Sequence, residues 1–335
     1  DGTAKLRDIQ GKVIATLKGH QGDVYSVSFS PNGTYLATAS KDGTAKLWDI
    51  QGKAIATLKG HQGDVYSVSF SKDGQIIATA SRDGTAKLWN LKGKNLITFV
   101  GHQDDIYSTN FSPDGKRLAT ASKDETAKLW DLQGNLLQTF TGHQGAVNSI
   151  SFSPDGTKLV TASTDTTVKL WNLQGNVLQN FQGHKGAIYD VSFSPDGNQL
   201  ATASEDQSVR LWNLNGKGLG VLQGYKGAVY SISFSPDGKM LATASREKFA
   251  RLWNLKNNLI KENPSVQNAI TALSVSSDGT WMATAFRSGI VHLKNIKQGT
   301  LQIIKGHSSI VYDVAFSPDR NRLAVGFKDG TINIW

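Results

Sequence analysis

The sequence contains no cysteine, only two methionines and seven prolines, and no long apolar run. Because cysteine is missing, disulfides, thiolate zinc sites and a thiol nucleophile are all excluded. No segment reaches the roughly 18 apolar residues that span a bilayer, so we expect no transmembrane helix and no membrane association. A glycine-rich phosphate loop and a secretory signal are also missing. We therefore expect a cytoplasmic protein that binds no cofactor.

Charge of one sign is not concentrated anywhere in the chain. The 36 Lys and Arg residues outnumber the 27 Asp and Glu residues, and the net charge of +9 is spread over the whole length. A nucleic-acid-binding surface usually shows as a clustered basic stripe. The scattered pattern favours a soluble basic surface, and nucleic-acid binding stays the alternative.

A Gly-His pair with a spacing of 41 residues is the main feature that the sequence does have. The pairs are Gly19-His20, Gly60-His61, Gly101-His102, Gly142-His143, Gly183-His184 and Gly306-His307, with Gly224-Tyr225 and Ser265-Val266 at the two remaining steps. A tryptophan recurs with the same spacing from Trp48 to Trp335, except at Lys294. A fixed period near 40 residues predicts one supersecondary unit repeated many times. No linker interrupts the period, so we interpret residues 1–335 as a single domain.

One repeat reads as four short strands separated by turns. Segments 24–29, 35–40, 44–48 and 54–58 are rich in β-branched or alternating apolar residues, and Pro31-Asn32-Gly33 and Asp42-Gly43 lie between them. Alternation with period two indicates strands, and these turn residues indicate antiparallel hairpins. Four-stranded units at this spacing predict an all-β protein, a β-propeller.

Three motifs, Gly19-His20, Ser40-Lys41-Asp42-Gly43 and Leu47-Trp48-Asp49, resemble the signature of the WD-repeat family, and near-identical repeats resemble the long arrays of bacteria, notably cyanobacteria. The resemblance implies a buried hydrogen-bonded tetrad of His, Thr, Asp and Trp in each repeat. Five complete sets are present: His20, Thr38, Asp42, Trp48; His61, Thr79, Asp83, Trp89; His102, Thr120, Asp124, Trp130; His143, Thr161, Asp165, Trp171; and His184, Thr202, Asp206, Trp212.

The last three repeats depart from this tetrad. The sixth has Tyr225 and Glu247 in place of His and Asp, and the eighth has Val325 in place of Thr. The seventh retains only Thr284 of the four. We expect apolar packing and strand pairing to hold these repeats.

The number of blades follows from the first strand of each repeat. Eight such strands are present, and the eighth repeat ends at Trp335 after its third strand. Residues 9–18 could supply the missing fourth strand, which would remove an exposed sheet edge and leave residues 1–8 as a surplus partial repeat. This argument favours eight four-stranded blades closed by the N-terminal strand. The alternative is seven blades and a leftover repeat.

A grouping of His, Asp and Thr could suggest a hydrolase triad. A triad needs an exposed nucleophile at one site, whereas this grouping recurs once in each of five repeats. The histidines are also too far apart to converge on one metal ion. We therefore predict structural tetrads, no catalytic or metal-binding residues, and no enzymatic activity.

Two positions in each repeat predict a partner-binding rim at one mouth of the channel. Tyrosine and cationic residues dominate them: Tyr25, Tyr66, Tyr107, Tyr189, Tyr230, Tyr312, Lys41, Arg82, Lys123, Arg246, Arg287 and Lys328. Tyr and Arg dominate interface energetics. Tyrosines copied by duplication can also lack a separate role, so the rim is a hypothesis.

These observations predict a non-enzymatic scaffold or sensor module that binds a protein or peptide, with an acidic partner favoured by the basic later repeats. We expect a monomer. Because the chain begins at Asp1 within a repeat, we interpret it as part of a longer multidomain protein.

Overall fold

The structure is a computed structural model that describes residues 17, 19–235, 237–246, 251–255, 259–262, 270–276, 278–286, 288–296, 298, 300–304, 309–318, 322–329 and 332–334. Within these ranges the regular structure consists of β-strands. No helix in this part of the chain is long and apolar enough to cross a bilayer.

Thirty-one strands follow one another along the described chain. The first sixteen are β1 Val24–Phe29, β2 Tyr35–Ser40, β3 Thr44–Asp49, β4 Ala54–Lys59, β5 Val65–Phe70, β6 Ile76–Ser81, β7 Thr85–Asn90, β8 Asn95–Val100, β9 Ile106–Phe111, β10 Arg117–Ser122, β11 Ala127–Asp131, β12 Leu136–Phe140, β13 Val147–Phe152, β14 Lys158–Ser163, β15 Val168–Asn172 and β16 Val177–Phe181. The others are β17 Ile188–Phe193, β18 Gln199–Ser204, β19 Val209–Asn213, β20 Gly218–Leu222, β21 Val229–Phe234, β22 Met240–Ser245, β23 Arg251–Asn254, β24 Leu259–Glu262, β25 Ile270–Val275, β26 Trp281–Phe286, β27 Val291–Asn295, β28 Leu301–Ile304, β29 Val311–Phe316, β30 Leu323–Phe327 and β31 Ile332–Ile334.

Each group of four consecutive strands forms one antiparallel sheet in chain order, from β1–β4 to β25–β28. Short turns make this possible. Gly33 and Gly43, for example, adopt positive φ angles of 70° and 78°, which glycine tolerates without strain. The predicted all-β propeller of four-stranded antiparallel blades is thus confirmed.

The blade number favoured from the sequence was wrong, because the described chain has seven four-stranded blades rather than eight. The last repeat forms a sheet of three strands, β29–β31. A fourth strand would have to come from residues 9–18, of which the described part includes only Leu17. That residue makes one isolated antiparallel bridge with Ile332. The surplus repeat at 1–8 and the rest of the closing strand lie outside the described residues.

The three-stranded sheet packs on both of its neighbours rather than standing apart. Val311, Val314 and Leu323 share a buried cluster with residues of the seventh blade. Ala324 and Ile332 share another with Val24 and Trp48 of the first blade.

The hydrophobic core lies between blades, not within them. Ala37, Ala39 and Leu47 of the first blade pack against Val65 and Trp89 of the second. The following interfaces repeat this arrangement. Small alanines on the second strand let adjacent sheets approach closely, and each repeat needs its neighbour to bury its apolar face.

Gly326 lies at the interface with the first blade, and we expect Gly326→Ala to destabilise the protein by about 1–3 kcal/mol through overpacking. All seven earlier repeats carry alanine at this position, from Ala39 to Ala285. At Gly326, however, an added Cβ would lie 2.8 Å from Cγ1 of Val24 and 3.1 Å from Cγ1 of Val27. Urea unfolding of both proteins tests this prediction. An increase in stability, as expected if the consensus residue were the better one, would contradict it.

Candidate functional site

In the first blade the four tetrad side chains form one hydrogen-bonded chain. The indole Nε1 of Trp48 donates to Thr38 Oγ1 at 3.0 Å. Thr38 Oγ1 lies 2.7 Å from Nε2 of His20, whose Nδ1 lies 2.8 Å from Asp42 Oδ2. Because an ionised carboxylate only accepts, the imidazole proton is assigned to Nδ1 and the threonine hydroxyl donates to Nε2. Every polar atom of this chain then has a partner.

The same contacts recur in the next four blades. Each Nδ1–carboxylate distance is 2.7–2.8 Å and each Nε2–hydroxyl distance is 2.7–2.8 Å. Each indole donates to its threonine at 2.9–3.0 Å. The five networks have the same partners, and each links the second and third strands of a blade, and the turn between them, to the loop before the blade.

Burial and hydrogen bonding set the charges of these groups. Burial lowers the pKa of His20, His102 and His184, although the neighbouring aspartate opposes the shift. Burial alone would raise the pKa of Asp42. Hydrogen bonds from His20, Thr44 and the backbone of Gln21 outweigh it and hold that pKa well below its usual range. At neutral pH the network therefore pairs a neutral imidazole with an ionised carboxylate.

The geometry argues against a nucleophilic triad. The threonines of all five tetrads are fully buried, and each hydroxyl oxygen already accepts an indole N–H. A nucleophile must be reachable by substrate. Here the interior holds both the hydroxyl and the imidazole.

In the diverged repeats other contacts take the place of the tetrad. The hydroxyl of Tyr225 lies 2.6 Å from Thr243 Oγ1 and accepts the indole N–H of Trp253 at 2.8 Å. In the seventh blade, the buried Thr284 Oγ1 and both ring nitrogens of His292 have no hydrogen-bond partner in the described chain. Glu247, Val266, His307 and Trp335 lie outside the described residues.

The rim tyrosines occupy a β-bulge on the innermost strand of their blades. Val24 pairs with Ser40 and Ser26 pairs with Ala39, so Tyr25 is the extra residue between them. The same shift falls at the other five tyrosines. A bulge turns one side chain out of the regular alternation. In six of the eight repeats the bulge therefore directs a tyrosine to the same end of the channel wall.

Four of the six tyrosines form a continuous row, here called the tyrosine arc: Tyr312, Tyr25, Tyr66 and Tyr107. Their successive ring centroids are 5.7, 5.5 and 5.6 Å apart. Tyr189 and Tyr230 form a separate pair at 5.2 Å, and Asn148 stands between the two groups. The sequence carries a signal for this division, since Asn148 and Thr271 replace tyrosine at the same repeat position.

Aspartates of the following blade fix three hydroxyls of the arc. Tyr25 donates to Asp64 at 3.3 Å, and Tyr66 donates to Asp105 at 3.3 Å. Tyr312 donates in the same way to Asp23 at 3.2 Å. Burial raises the pKa of Tyr66 to about 12, and the charges of Asp105 and Asp64 add to the effect. The arc is thus a row of neutral phenols that are half-buried and held in place.

The predicted rim cations lie at the turns between the second and third strands. Lys41, Arg82, Lys123, Arg246 and Lys328 are exposed there, and Arg287 lies outside the described residues. Lys123 pairs with Asp104 at 3.1 Å. The arc side of the mouth therefore carries both charge signs, because Asp23, Asp64 and Asp105 accompany its cations.

Two carboxylates of the channel wall were missed from the sequence. Asp190 accepts N–H groups from Val191 and, across the blade boundary, from Ile232. Asp313 accepts from Val314 and from Val27 of the first blade, both at 2.8 Å. Burial raises the pKa of Asp190 to about 6 and that of Asp313 to about 7, although these N–H groups oppose it. The available signal was a departure from the repeat, since five of the eight equivalent positions are serine.

Comparison with known families agrees with the fold. A family model described as "WD domain, G-beta repeat" matches residues 11–49, 52–90 and 93–131. A second, described as "IFT122 first beta-propeller", matches residues 149–335, which are 187 of the 335 residues. No curated protein matches the chain significantly. The chain belongs to the WD-repeat β-propeller family, whose members are generally non-enzymatic protein-interaction scaffolds.

Proposed function

We propose that this protein is a non-enzymatic scaffold or sensor module that binds a protein partner through the tyrosine arc, as part of a longer multidomain chain in the cytoplasm. Aromatic residues that are already ordered lose little entropy on binding. The observation that carries the proposal is the continuous row of Tyr312, Tyr25, Tyr66 and Tyr107, in which the first three donate hydrogen bonds to aspartates. Family membership supports the general role and leaves the partner open.

Charge offers less guidance on that partner. An acidic partner stays a prediction that rests on Arg246, Lys328 and the net charge of +9. On the arc side, Asp23, Asp64 and Asp105 would repel an extended acidic surface. An acidic partner would therefore place its carboxylates on the sixth-blade side of the mouth, near Arg246. Other residues of the same partner would contact the tyrosine arc.

We expect the substitutions Tyr25→Ala, Tyr66→Ala and Tyr107→Ala together to weaken partner binding by at least about thirtyfold, which is typical of losing interface hot spots. The partner is first captured from extracts of the source cells on the immobilised protein, and its affinity is then measured with purified components. The matched control replaces the same residues by phenylalanine, which keeps the rings and removes only the hydroxyl contacts. Equal affinities of the alanine variant and the wild type would refute the arc as the binding surface.

Nucleic-acid binding is the second candidate, and the net charge of +9 is the observation that favours it. Binding to DNA or RNA with useful affinity, and with a steep fall as salt rises, would support it. Weak, sequence-independent binding at low salt would not.

Closure of the three-stranded sheet is a separate part of the proposal. Residues 9–18 would add the fourth strand next to β31, in line with the Leu17–Ile332 bridge. This pairing would cover the outer edge of the last sheet.

A further inference from the structure

The outer strand of the fifth blade differs from those of the other blades because it contains two glycines, Gly218 and Gly220. The residues that precede Gly220 at 41-residue steps are Ala56, Ile97, Gln138 and Gln179. Neither glycine has a positive φ, and a Cβ added at either would meet no atom within 4 Å. Backbone geometry therefore does not require glycine at these two positions.

In the two preceding blades a glutamine fills the corresponding space. The side chain of Gln138 lies directly against Gly175 in the turn of the next blade, and Gln179 lies against Gly216 in the same way. These glutamines seal the outer junction between successive blades. At the junction of the fifth and sixth blades Gly220 has no side chain to do so.

In the described part of this junction a groove opens beside Gly220. A cavity of about 510 Å³ is lined by the backbone of Gly220, by Leu211, Leu219 and Leu255, and by Gln199, Asp237, Gly238 and Lys239. A second cavity of about 310 Å³ shares Gln199, Asp237 and Gly238 with it and extends to Asp196. We call the combined feature the Gly220 groove. It has an apolar floor and a polar mouth.

Among the described residues that line the groove, the charged side chains carry a net negative charge. Ser194 and the backbone of Asn198 donate to Asp196 and lower its pKa, and Ser235 does the same for Asp237. Both carboxylates are therefore ionised at neutral pH. Lys239 offsets one of them, with its Nζ 3.3 Å from Asp237 Oδ2. The two carboxylates and the one ammonium group together leave one negative charge. A cation on a bound ligand would complement this charge.

The strand beside the groove is the exposed edge of its sheet. The order β17-β18-β19-β20 leaves β20 outermost, and its five residues Gly-Leu-Gly-Val-Leu carry no charged side chain. Leu219 and Val221 are 47% and 42% exposed. An uncharged edge strand offers unpaired backbone groups to an added strand.

We propose that the Gly220 groove binds an extended peptide segment of a partner protein, in which an aliphatic residue and a lysine or arginine stand two positions apart and therefore point to the same face of the added strand. The segment pairs with β20, its aliphatic side chain enters the space next to Gly220, and its cation reaches Asp196 and Asp237. This site is distinct from the tyrosine arc and goes beyond the function proposed above.

The test uses a fluorescein-labelled six-residue peptide that carries valine, lysine and valine at alternate positions, on one face of the strand, with serine between them. Its binding is measured by fluorescence anisotropy at physiological salt. We expect saturable binding to the wild type and a loss of about tenfold or more for Gly220→Gln, because the glutamine would occupy the place of one buried aliphatic side chain. A peptide with glutamate in place of lysine is expected to bind at least about tenfold more weakly.

Two matched controls keep the test decisive. Gly218→Val introduces the residue that the preceding blade has at Val177, and it should retain the affinity because Gly218 does not line the groove. The alanine variant of the tyrosine arc should also bind the peptide normally. Thermal unfolding of Gly220→Gln checks that the variant is folded. No saturable binding to the wild type, or equal binding by Gly220→Gln, would overturn the proposal and leave the arc untouched.

Discussion

Replacing Thr120 by valine is expected to lower the free energy of unfolding by about 3 kcal/mol. Valine has nearly the shape of threonine but offers no hydroxyl, so the indole N–H of Trp130 and Nε2 of His102 both lose their partner. Each unsatisfied buried polar group costs about 1–3 kcal/mol. Urea unfolding followed by tryptophan fluorescence measures the difference.

The chain provides its own control for this substitution in the seventh blade. Thr284 has the same place in its repeat and is fully buried, but its hydroxyl has no hydrogen-bond partner in the described chain. Thr284→Val removes a buried hydroxyl that makes no hydrogen bond in the described chain. We therefore expect the free energy of unfolding to stay the same or rise slightly. Similar losses at Thr120 and Thr284 would show that the network does not brace the blades.

The second large effect is a pH dependence that Asp313 generates. In the unfolded chain Asp313 ionises near 3.8, the ordinary pKa of an aspartate, whereas burial raises the pKa to about 7 in the folded protein. Between these values the folded state holds the proton more tightly. The contribution of Asp313 to stability therefore falls as pH rises from 4 to 7, by at most about 1.4 kcal/mol per pH unit.

Comparison with Asp313→Asn isolates this contribution. The stability of the wild type relative to the variant should decline between pH 4 and 7 and become constant above that. His20, His102 and His184 act in the opposite direction, because their lowered pKa values remove stability as pH falls below 6.5. They are common to both proteins and cancel in the difference. A difference that does not change with pH would rule out a buried, titrating Asp313.

The repeated part of this molecule could be predicted from its sequence in detail. Strand positions follow from period-two alternation, and the turn glycines mark the hairpins. The grouping of His20, Thr38, Asp42 and Trp48 followed from a family resemblance. These features depend on residues within one repeat, and each repeat supplies a further instance of the same pattern.

Features that depend on how two blades meet could not be predicted in this way. In the sequence, Gly326 is a repeat position at which alanine has been replaced by glycine. Only the structure shows that Val24 of the first blade leaves too little space for a Cβ there. From the sequence, Gly220 is a residue that weakens a strand. Only the structure shows the groove beside it. Asn148 and Thr271 mark the two tyrosine groups in the sequence, but the ring contacts within each group follow only from the structure. The described chain has seven four-stranded blades rather than the eight that the sequence favoured, because only Leu17 of the expected closing strand is among the described residues.

The central claim is that the histidine networks hold the propeller together while the tyrosine arc recognises the partner. Partner affinity and melting temperature, measured together on Thr120→Val and Tyr66→Ala, test this division of roles most directly. Below its melting transition Thr120→Val should bind the partner normally and melt earlier. Tyr66→Ala should melt within a few degrees of the wild type and lose at least about tenfold in affinity. Normal binding by Tyr66→Ala, together with lost binding by folded Thr120→Val, would contradict the account.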